Sequence, residues 1–179
     1  MTETPATPEP VDADLEAFWV DARVHANLTE LGPALGEHPL AAVRPPAWSF
    51  GATPAHADDL LDLVLRGTKT ATAGALWDYE AEGEQLPTPG QLSIVLDGRG
   101  RPRALIRTDA VEIRPFDQVD DEHAYAEGEG DRSLRYWRDV HRAFFERYAT
   151  HDRGFSEDMP VVLERFSVLY APDWAAPAE

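Results

Sequence analysis

Apolar residues follow helical spacing in three segments of the chain. In the second segment Thr53 can cap a helix, Pro54 suits its first position, and an apolar stripe runs from Ala57 to Leu65. Gly67 stands where a left-handed C-terminal cap is expected. These patterns predict three amphipathic helices. The other two stripes comprise Leu15, Phe18, Trp19 and Ala22, and then Leu134, Trp137, His141, Phe144, Phe145 and Tyr148 within 132–149.

Between and after these helices, apolar and polar residues alternate, or β-prone residues follow one another, as in β-strands. Residues 68–72 are β-prone, 92–97 and 103–114 flank a Gly- and Pro-containing reversal, and 161–170 form a closing apolar strand. The order helix, helix, strands, helix, strand predicts an α+β fold. We expect it to be a small β-barrel of mostly antiparallel strands with flanking helices.

The chain of 179 residues suits one domain with additions at its ends. Residues 1–12 are rich in Pro and Thr and are expected to be a disordered lead-in. Residues 13–170 are predicted as a single domain with an N-terminal helical extension, and 171–179 as a flexible tail. Within the domain, the Pro- and Gly-rich segment 32–50 is expected to be an irregular connection.

Composition limits the classes of function. The absence of cysteine excludes disulfides, thiolate zinc sites and a cysteine nucleophile. No basic stretch precedes an apolar run at the N-terminus, and no apolar window approaches the roughly 20 residues that span a bilayer, so we expect a cytoplasmic protein without a membrane partner. The net charge of −17 disfavours duplex DNA. A local cleft for a modified nucleoside or a short single-stranded RNA remains compatible with that charge.

Lys69 is the first residue that could carry chemistry. It is the only lysine among the 16 basic Lys and Arg residues, and hydroxyl-bearing threonines surround it. Lysine can lose its proton when desolvated, which arginine practically cannot, so a base role requires lysine. The alternative is a solvated surface lysine in a Thr-rich strand. On an extended run Lys69 and Thr72 point to opposite faces, so only a bend would bring them together.

Acidic and aromatic residues supply further candidates. Acids alternate with glycines in 127–131, without the ligand spacing of an EF-hand, and Asp131 is also suited to stabilise the start of the following helix. The aromatic residues Trp48, Phe50, Trp77 and Tyr79 could stack a base or fill a core. The six histidines lack zinc-site spacing, so no metal site is expected.

Several strings resemble the longer bacterial members of the ASCH domain family. They are Trp48–Gly51, Ala57–Leu61, Gly67–Thr72, Glu127–Leu134, Tyr136–Arg138, His141 and Phe144–Phe145, and the resemblance covers about residues 15–170. It implies a PUA-like β-barrel with flanking helices and a cleft suited to RNA. In the family signature Gly-x-Lys-x-x-Glu-x-Arg, Gly67 and Lys69 match, whereas Thr72 replaces the glutamate and Gly74 the arginine.

The same resemblance implies an activity. Small bacterial relatives that deacetylate N4-acetylcytidine are similar here, and their residues fall on Lys69 as base, Thr72 as nucleophile and Glu127 as proton shuttle, without a cofactor. Two alternatives remain open. One is a ribonuclease with a divalent metal at Glu127, Glu129 and Asp131, and the other is a non-catalytic binding module. Substrate contacts are expected from Trp48, Phe50, Thr70, Trp77 and Glu129.

Overall fold

The structure is a computed structural model, which describes residues 8–28 and 43–172. Its helices are α1 (Asp12–His25), α2 (Pro54–Leu65), α3 (Leu76–Glu82), α4 (Asp121–Glu127) and α5 (Leu134–Tyr148). Its strands are β1 (Ala47–Trp48), β2 (Ala71–Ala75), β3 (Leu92–Leu96), β4 (Pro102–Pro115) and β5 (Pro160–Tyr170). A short 3₁₀ turn, Phe116–Gln118, follows β4.

The five strands form one sheet in the order β1-β3-β4-β5-β2. The pairs β3–β4 and β2–β5 are antiparallel, and β1 runs parallel to β3. The predicted α+β class with mostly antiparallel strands is confirmed. The predicted closed barrel is not, because β1 and β2 end the order without pairing to each other in the described part of the chain, and a barrel requires that pairing.

Local signals placed the long elements correctly. The Thr53 hydroxyl accepts a hydrogen bond from the backbone N–H of His56 at 3.2 Å, as expected for the N-cap of α2. Gly67 has φ +71°, which confirms the left-handed position after that helix. The long helix α5 begins after Ser133, whose hydroxyl accepts from the N–H of Tyr136.

Other elements differ from the sequence-based expectations. The run 68–72 becomes a strand only at Ala71, and the connection 32–50 contains the short strand β1, although 29–42 lies outside the described residues. The short helices α3 and α4 carry no long apolar stripe and were not predicted from periodicity. The predictions for the two chain ends also fall largely outside the described residues, since 1–7 and 173–179 are not described.

The chain divides into two compact units. The first comprises 1–67, 90–107 and 167–179, and in its core α1 packs against β3 and β4 through residues such as Phe18, Trp19, Ile94 and Leu105. The second comprises 68–89 and 108–166. Its core joins β2, β5 and α5 through Ala75, Phe116, Trp137, Phe145, Val161 and Leu163. The expectation of a single domain stays a prediction.

Within the described ranges, no helix has both the length and the apolar composition needed to cross a membrane.

Candidate active site around Lys69

Lys69 lies in the short link between α2 and β2, in the second unit. Two backbone hydrogen bonds hold this link: the N–H of Thr70 donates to the carbonyl of Ala126 at 2.8 Å, and the N–H of Phe166 donates to the carbonyl of Thr70 at 3.0 Å. The Lys69 side chain is only 1% exposed. It is therefore a buried residue and not the solvated surface lysine considered as the alternative.

The Lys69 ammonium group binds two carboxylates from the end of α4. Its Nζ donates to Oε2 of Glu127 at 2.9 Å and to Oε1 of Glu129 at 3.0 Å. Glu127 is itself 1% exposed. The fold thus brings together Lys69 with two predicted site residues that are 58 and 60 positions away in the sequence.

The second oxygen of Glu127 is also occupied. Oε1 accepts a hydrogen bond from the indole N–H of Trp137 at 2.8 Å and lies 3.0 Å from Nε2 of His123 and 3.4 Å from Nε2 of His141. The Trp137 and His141 rings stack with centroids 4.2 Å apart. Since groups on α4, α5 and the Lys69 link all contact this carboxylate, its orientation is fixed from several sides.

A glycine makes the turn that presents both glutamates. Gly128 ends α4 with φ +75°, and a Cβ added there would lie 2.5 Å from the backbone oxygen of Thr68. A side chain at this position would therefore collide with the backbone beside Lys69. The close approach lets Glu127 and Glu129 reach the same ammonium group.

The charges of the cluster keep the lysine protonated and the glutamate ionised. Burial alone would lower the pKa of Lys69, but the charges of Glu127 and Glu129 and their hydrogen bonds raise it above its ordinary value. Burial alone would raise the pKa of Glu127, but the Lys69 ammonium, and then His141 and His123, hold it well below its ordinary value. The resting site is therefore an ion pair in which Lys69 carries a proton and Glu127 a negative charge.

The same cluster includes atoms arranged like metal ligands. Glu127, Glu129 and His141 each offer one ligand atom, all within 4.8 Å of one another. The Lys69 ammonium, however, already binds both carboxylates. Asp131, the third acid of the metal-dependent alternative, accepts a hydrogen bond from the N–H of Ser133 at 3.0 Å, consistent with a role at the start of α5. A cation at this site would have to displace the ammonium group.

Thr72, the predicted nucleophile, lies on β2 within the antiparallel β2–β5 pair. It lies opposite Glu164, so the two side chains share one face of the sheet. Ala73 and Ala75 of the same strand pack into the core that contains Trp137. Because side chains alternate along a strand, half-buried Thr72 points away from that core.

Glu164 is a buried acid that the sequence-based reasoning missed. It is 7% exposed, and the Thr108 hydroxyl donates to its Oε1 at 2.6 Å. Burial raises the pKa of Glu164 above its ordinary value, and the bond from Thr108 opposes this only in part. Burial, and then the charge of Glu164, raise the pKa of nearby Tyr79 to about 12. The sequence signal for a buried Glu164 was that its neighbours on the same face of the strand, Val162 and Phe166, are both apolar.

Replacing Glu164 by glutamine is expected to stabilise the protein at pH 7 by about 1 kcal/mol, or a melting temperature gain of about 2–4 °C. An acid whose folded pKa is raised contributes stability below its unfolded pKa, here near 4.5, and that contribution is lost as pH rises through the folded value. Glutamine carries no charge, so the variant avoids this loss of stability at pH 7, and its amide oxygen still accepts a hydrogen bond from Thr108. Thermal unfolding of the variant and the wild-type protein at pH 4 and pH 7 measures the change in stability. A gain in stability at pH 7 that is no larger than the gain at pH 4 would contradict the raised pKa of Glu164.

The predicted substrate-contact residues are divided between the units. Thr70 and Glu129 lie in the Lys69 cluster, where the Thr70 hydroxyl donates to the Ala126 carbonyl at 3.4 Å. Trp77 of the second unit contacts the His151 ring edge-on at 5.2 Å. Trp48 and Phe50 belong to the first unit, and their rings contact each other at 4.7 Å. The role of these three aromatic residues in binding stays a prediction.

Comparisons with known proteins place the chain among similar sequences and structures. Residues 46–170 match the family model described as the ASCH domain. A crystal structure of a DUF984 protein from Enterococcus faecalis is 36% identical, covers 88% of this chain and 89% of its own, and has a TM-score of 0.73. A crystal structure of an ASCH domain from Lactobacillus crispatus is 31% identical, with 89% and 96% coverage and a TM-score of 0.74. No curated protein sequence matches the chain.

Proposed function

The chain belongs to the ASCH domain family, and we propose that it is an RNA- or nucleoside-directed amidohydrolase that removes acyl groups from N4-acylated cytosine without a metal ion. The observation that carries the proposal is the buried ion pair of Lys69 and Glu127, joined at 2.9 Å across 58 residues of sequence. This pair unites two of the three residues that the family resemblance implies for amide hydrolysis. Perturbed, buried ionisable groups of this kind cluster at functional sites.

The protonation state of the pair sets the order of proton transfers. The Thr72 hydroxyl attacks the acyl carbon, forms a C–O bond and passes its proton to a base, from which the oxygen recovers it when the ester is later hydrolysed. As the bond from that carbon to N4 breaks, the Lys69 ammonium gives N4 its proton, and the cytosine amine leaves. Lys69, now neutral, takes a proton from the water that hydrolyses the acyl ester and becomes an ammonium again. Lys69 is thus first an acid and then a base, whereas the family resemblance alone implied a base.

Glu127 and Glu129 favour the protonated state of Lys69 and hold its amine in place. Their negative charges return the proton to the amine after each turnover, since they raise the pKa of Lys69. Glu127 is fixed by Trp137 and the two histidines and holds the amine in one place. It also lies within hydrogen-bond distance of the amine, as a proton shuttle requires.

The ribonuclease alternative has one observation in its favour, the ligand-like arrangement of Glu127, Glu129 and His141. The ammonium group between the two glutamates argues against it, because a divalent cation and Lys69 would compete for the same carboxylates. Activity on RNA that requires Mg²⁺ and is abolished by EDTA would favour this alternative. Ligand binding that is unaffected by substitution of Lys69 would favour a binding module.

The test is hydrolysis of N4-acetylcytidine by the pure protein in EDTA. We expect turnover by the wild-type protein and a loss of at least about 100-fold in kcat for Lys69→Arg, the scale of general acid–base catalysis. Arginine keeps the positive charge but does not give up its proton, so the variant separates charge from proton transfer. The matched control is Arg66→Lys at a side chain that is 69% exposed, which should keep full activity.

Two outcomes would overturn the proposal. Wild-type protein that leaves N4-acetylcytidine intact in EDTA is not the proposed amidohydrolase. If Lys69→Arg hydrolyses the nucleoside as fast as the wild-type protein, Lys69 transfers no proton in the rate-limiting part of the reaction.

A further inference from the structure

We propose that Glu164 is the base that accepts the proton of the Thr72 hydroxyl, and that Thr108 holds its carboxylate in place for this step. The inference rests on the proposed function in one respect, the choice of Thr72 as the nucleophile. It adds a residue that neither the sequence motifs nor the family comparison supplies. Glu164 lies 92 positions after Thr72 in the sequence, so only the fold brings it next to β2.

A threonine hydroxyl needs a neighbouring base to attack an amide carbonyl. Lys69 cannot serve at the start of the reaction, because Glu127 and Glu129 keep it in the protonated form. The residue opposite Thr72 on the neighbouring strand is Glu164. Directly opposed residues of an antiparallel pair have Cβ atoms about 4.5–5.5 Å apart, close enough for a glutamate to reach a threonine hydroxyl.

The surroundings of Glu164 leave one carboxylate oxygen for Thr72. Thr108 of β4 donates its hydroxyl to Oε1 at 2.6 Å. Among the described residues, the Thr108 hydroxyl is the side-chain group whose hydrogen bond lowers the pKa of this carboxylate, and no charged neighbour contributes to the shift. Oε2 is therefore the oxygen that can accept the Thr72 proton.

The face around Thr72 and Glu164 is partly closed by Tyr79. Gly74, two residues after Thr72 on the same face, has no side chain, and a Cβ placed there would lie 3.1 Å from a Tyr79 ring carbon. Tyr79 therefore covers this part of the strand pair, beside Glu164, which is 7% exposed. The pKa of Tyr79 is about 12, so its phenol stays neutral at neutral pH and does not compete for the proton.

Burial makes Glu164 a stronger base than an exposed carboxylate. The pKa of Glu164 lies above its ordinary value of 4.5, so the carboxylate binds a proton more strongly than an exposed glutamate does. In the first half-reaction the Thr72 proton moves to Glu164 as Oγ bonds to the acyl carbon. In the second half-reaction protonated Glu164 returns that proton to Oγ as the ester bond breaks and the carboxylic acid leaves.

The experiment uses p-nitrophenyl acetate, which can acetylate a reactive hydroxyl without recognition of a nucleoside. Acetyl transfer to Thr72 releases p-nitrophenol, and peptide mass mapping locates the acetyl group. Reaction at other groups, such as the six histidines and five tyrosines, is distinguished by the mapping and by the p-nitrophenol release that remains in Thr72→Val. We expect wild-type Thr72 to be acetylated, at a rate that rises with pH as Glu164 loses its proton.

Substitutions at both residues then test the assignment. Glu164→Gln should slow acetylation at least about 100-fold while the protein stays folded, and Glu164→Asp should recover part of the rate with a pH-dependent profile. Thr72→Ser should still be acetylated, and Thr72→Val should not. The matched control, Glu146→Gln at an exposed position of α5, should react like the wild-type protein. A melting curve of each variant reports its folding.

The outcomes separate this inference from the proposed function. Acetylation of Thr72 that depends on Glu164, together with no hydrolysis of N4-acetylcytidine, would support Glu164 as the base and reject the proposed substrate. Hydrolysis of N4-acetylcytidine with Thr72 unacetylated, or acetylated equally in Glu164→Gln, would overturn the role of Glu164 and leave the amidohydrolase standing.

Discussion

Lys69→Met is expected to lower the free energy of unfolding by about 3–5 kcal/mol at pH 7, the cost of leaving one partner of a buried ion pair alone. Methionine fills a similar volume, so the change is mainly one of charge. Glu127, 1% exposed, would keep its negative charge without the ammonium group. Urea-induced unfolding, followed by tryptophan fluorescence, measures the difference.

A second substitution makes the cause of this loss visible. The double variant Lys69→Met/Glu127→Gln removes both buried charges, so it should regain more than about 1 kcal/mol relative to Lys69→Met alone. The surface pair of Arg66 and Asp62, joined at 2.7 Å, is the control. Arg66→Met should cost less than about 1 kcal/mol, as exposed ion pairs do. Equal losses for Lys69→Met and Arg66→Met would show that the buried pair contributes no more than a surface one.

The pH dependence of the Lys69 effect has a definite sign. The lowered pKa of Glu127 gives stability that is present above its unfolded value near 4.5 and is lost as pH falls through the folded value. The raised pKa of Lys69 gives stability that is fully present below its unfolded value near 10.5 and is lost as pH rises through the folded value. The difference between wild-type protein and Lys69→Met should therefore be largest between these two limits.

Gly128→Ala is expected to destabilise the protein by about 3 kcal/mol or more and to reduce activity at the Lys69 site. The left-handed backbone, with φ +75°, costs an alanine about 1–2 kcal/mol. The remainder comes from the added Cβ, which would lie 2.5 Å from the Thr68 backbone oxygen. Relief of that contact must move the α4 end away from the Lys69 link, and with it Glu127 and Glu129. Thermal unfolding and the nucleoside assay measure the two effects.

Gly83 provides the matched control for this substitution. It also ends a helix, α3, with a left-handed φ of +68°, but no atom lies within 4 Å of a Cβ added there. Gly83→Ala should therefore show only the backbone cost of about 1–2 kcal/mol and no loss of activity. Similar losses in the two variants would mean that the contact with Thr68 relaxes without consequence.

Elements with strong local signals were predictable from the sequence. Helix α2 has its Thr53 cap, Pro54 and a following glycine, and α5 has an apolar stripe. These signals act between residues three or four positions apart, so they survive without knowledge of the tertiary structure. The turn between β3 and β4 is local in the same sense.

Elements without such signals required the structure. Strand β1 has two residues and exists through its pairing with β3, some 47 positions later in the chain. Helix α4 has seven residues, too few for a recognisable apolar stripe. The predicted barrel was not confirmed for a related reason, because alternation predicts strands but does not determine which strands pair at the ends of the sheet.

The chemistry divides in the same way. The sequence by itself determined that Lys69 is the single lysine of an acidic, cysteine-free chain, and its motifs matched those of the family to which the chain belongs. Only the tertiary structure decided that Glu127 and Glu129 hold this lysine as an ammonium ion, and that Thr72 lies opposite buried Glu164. Protonation depends on burial and on charges brought together from distant positions, and neither quantity is a property of the local sequence.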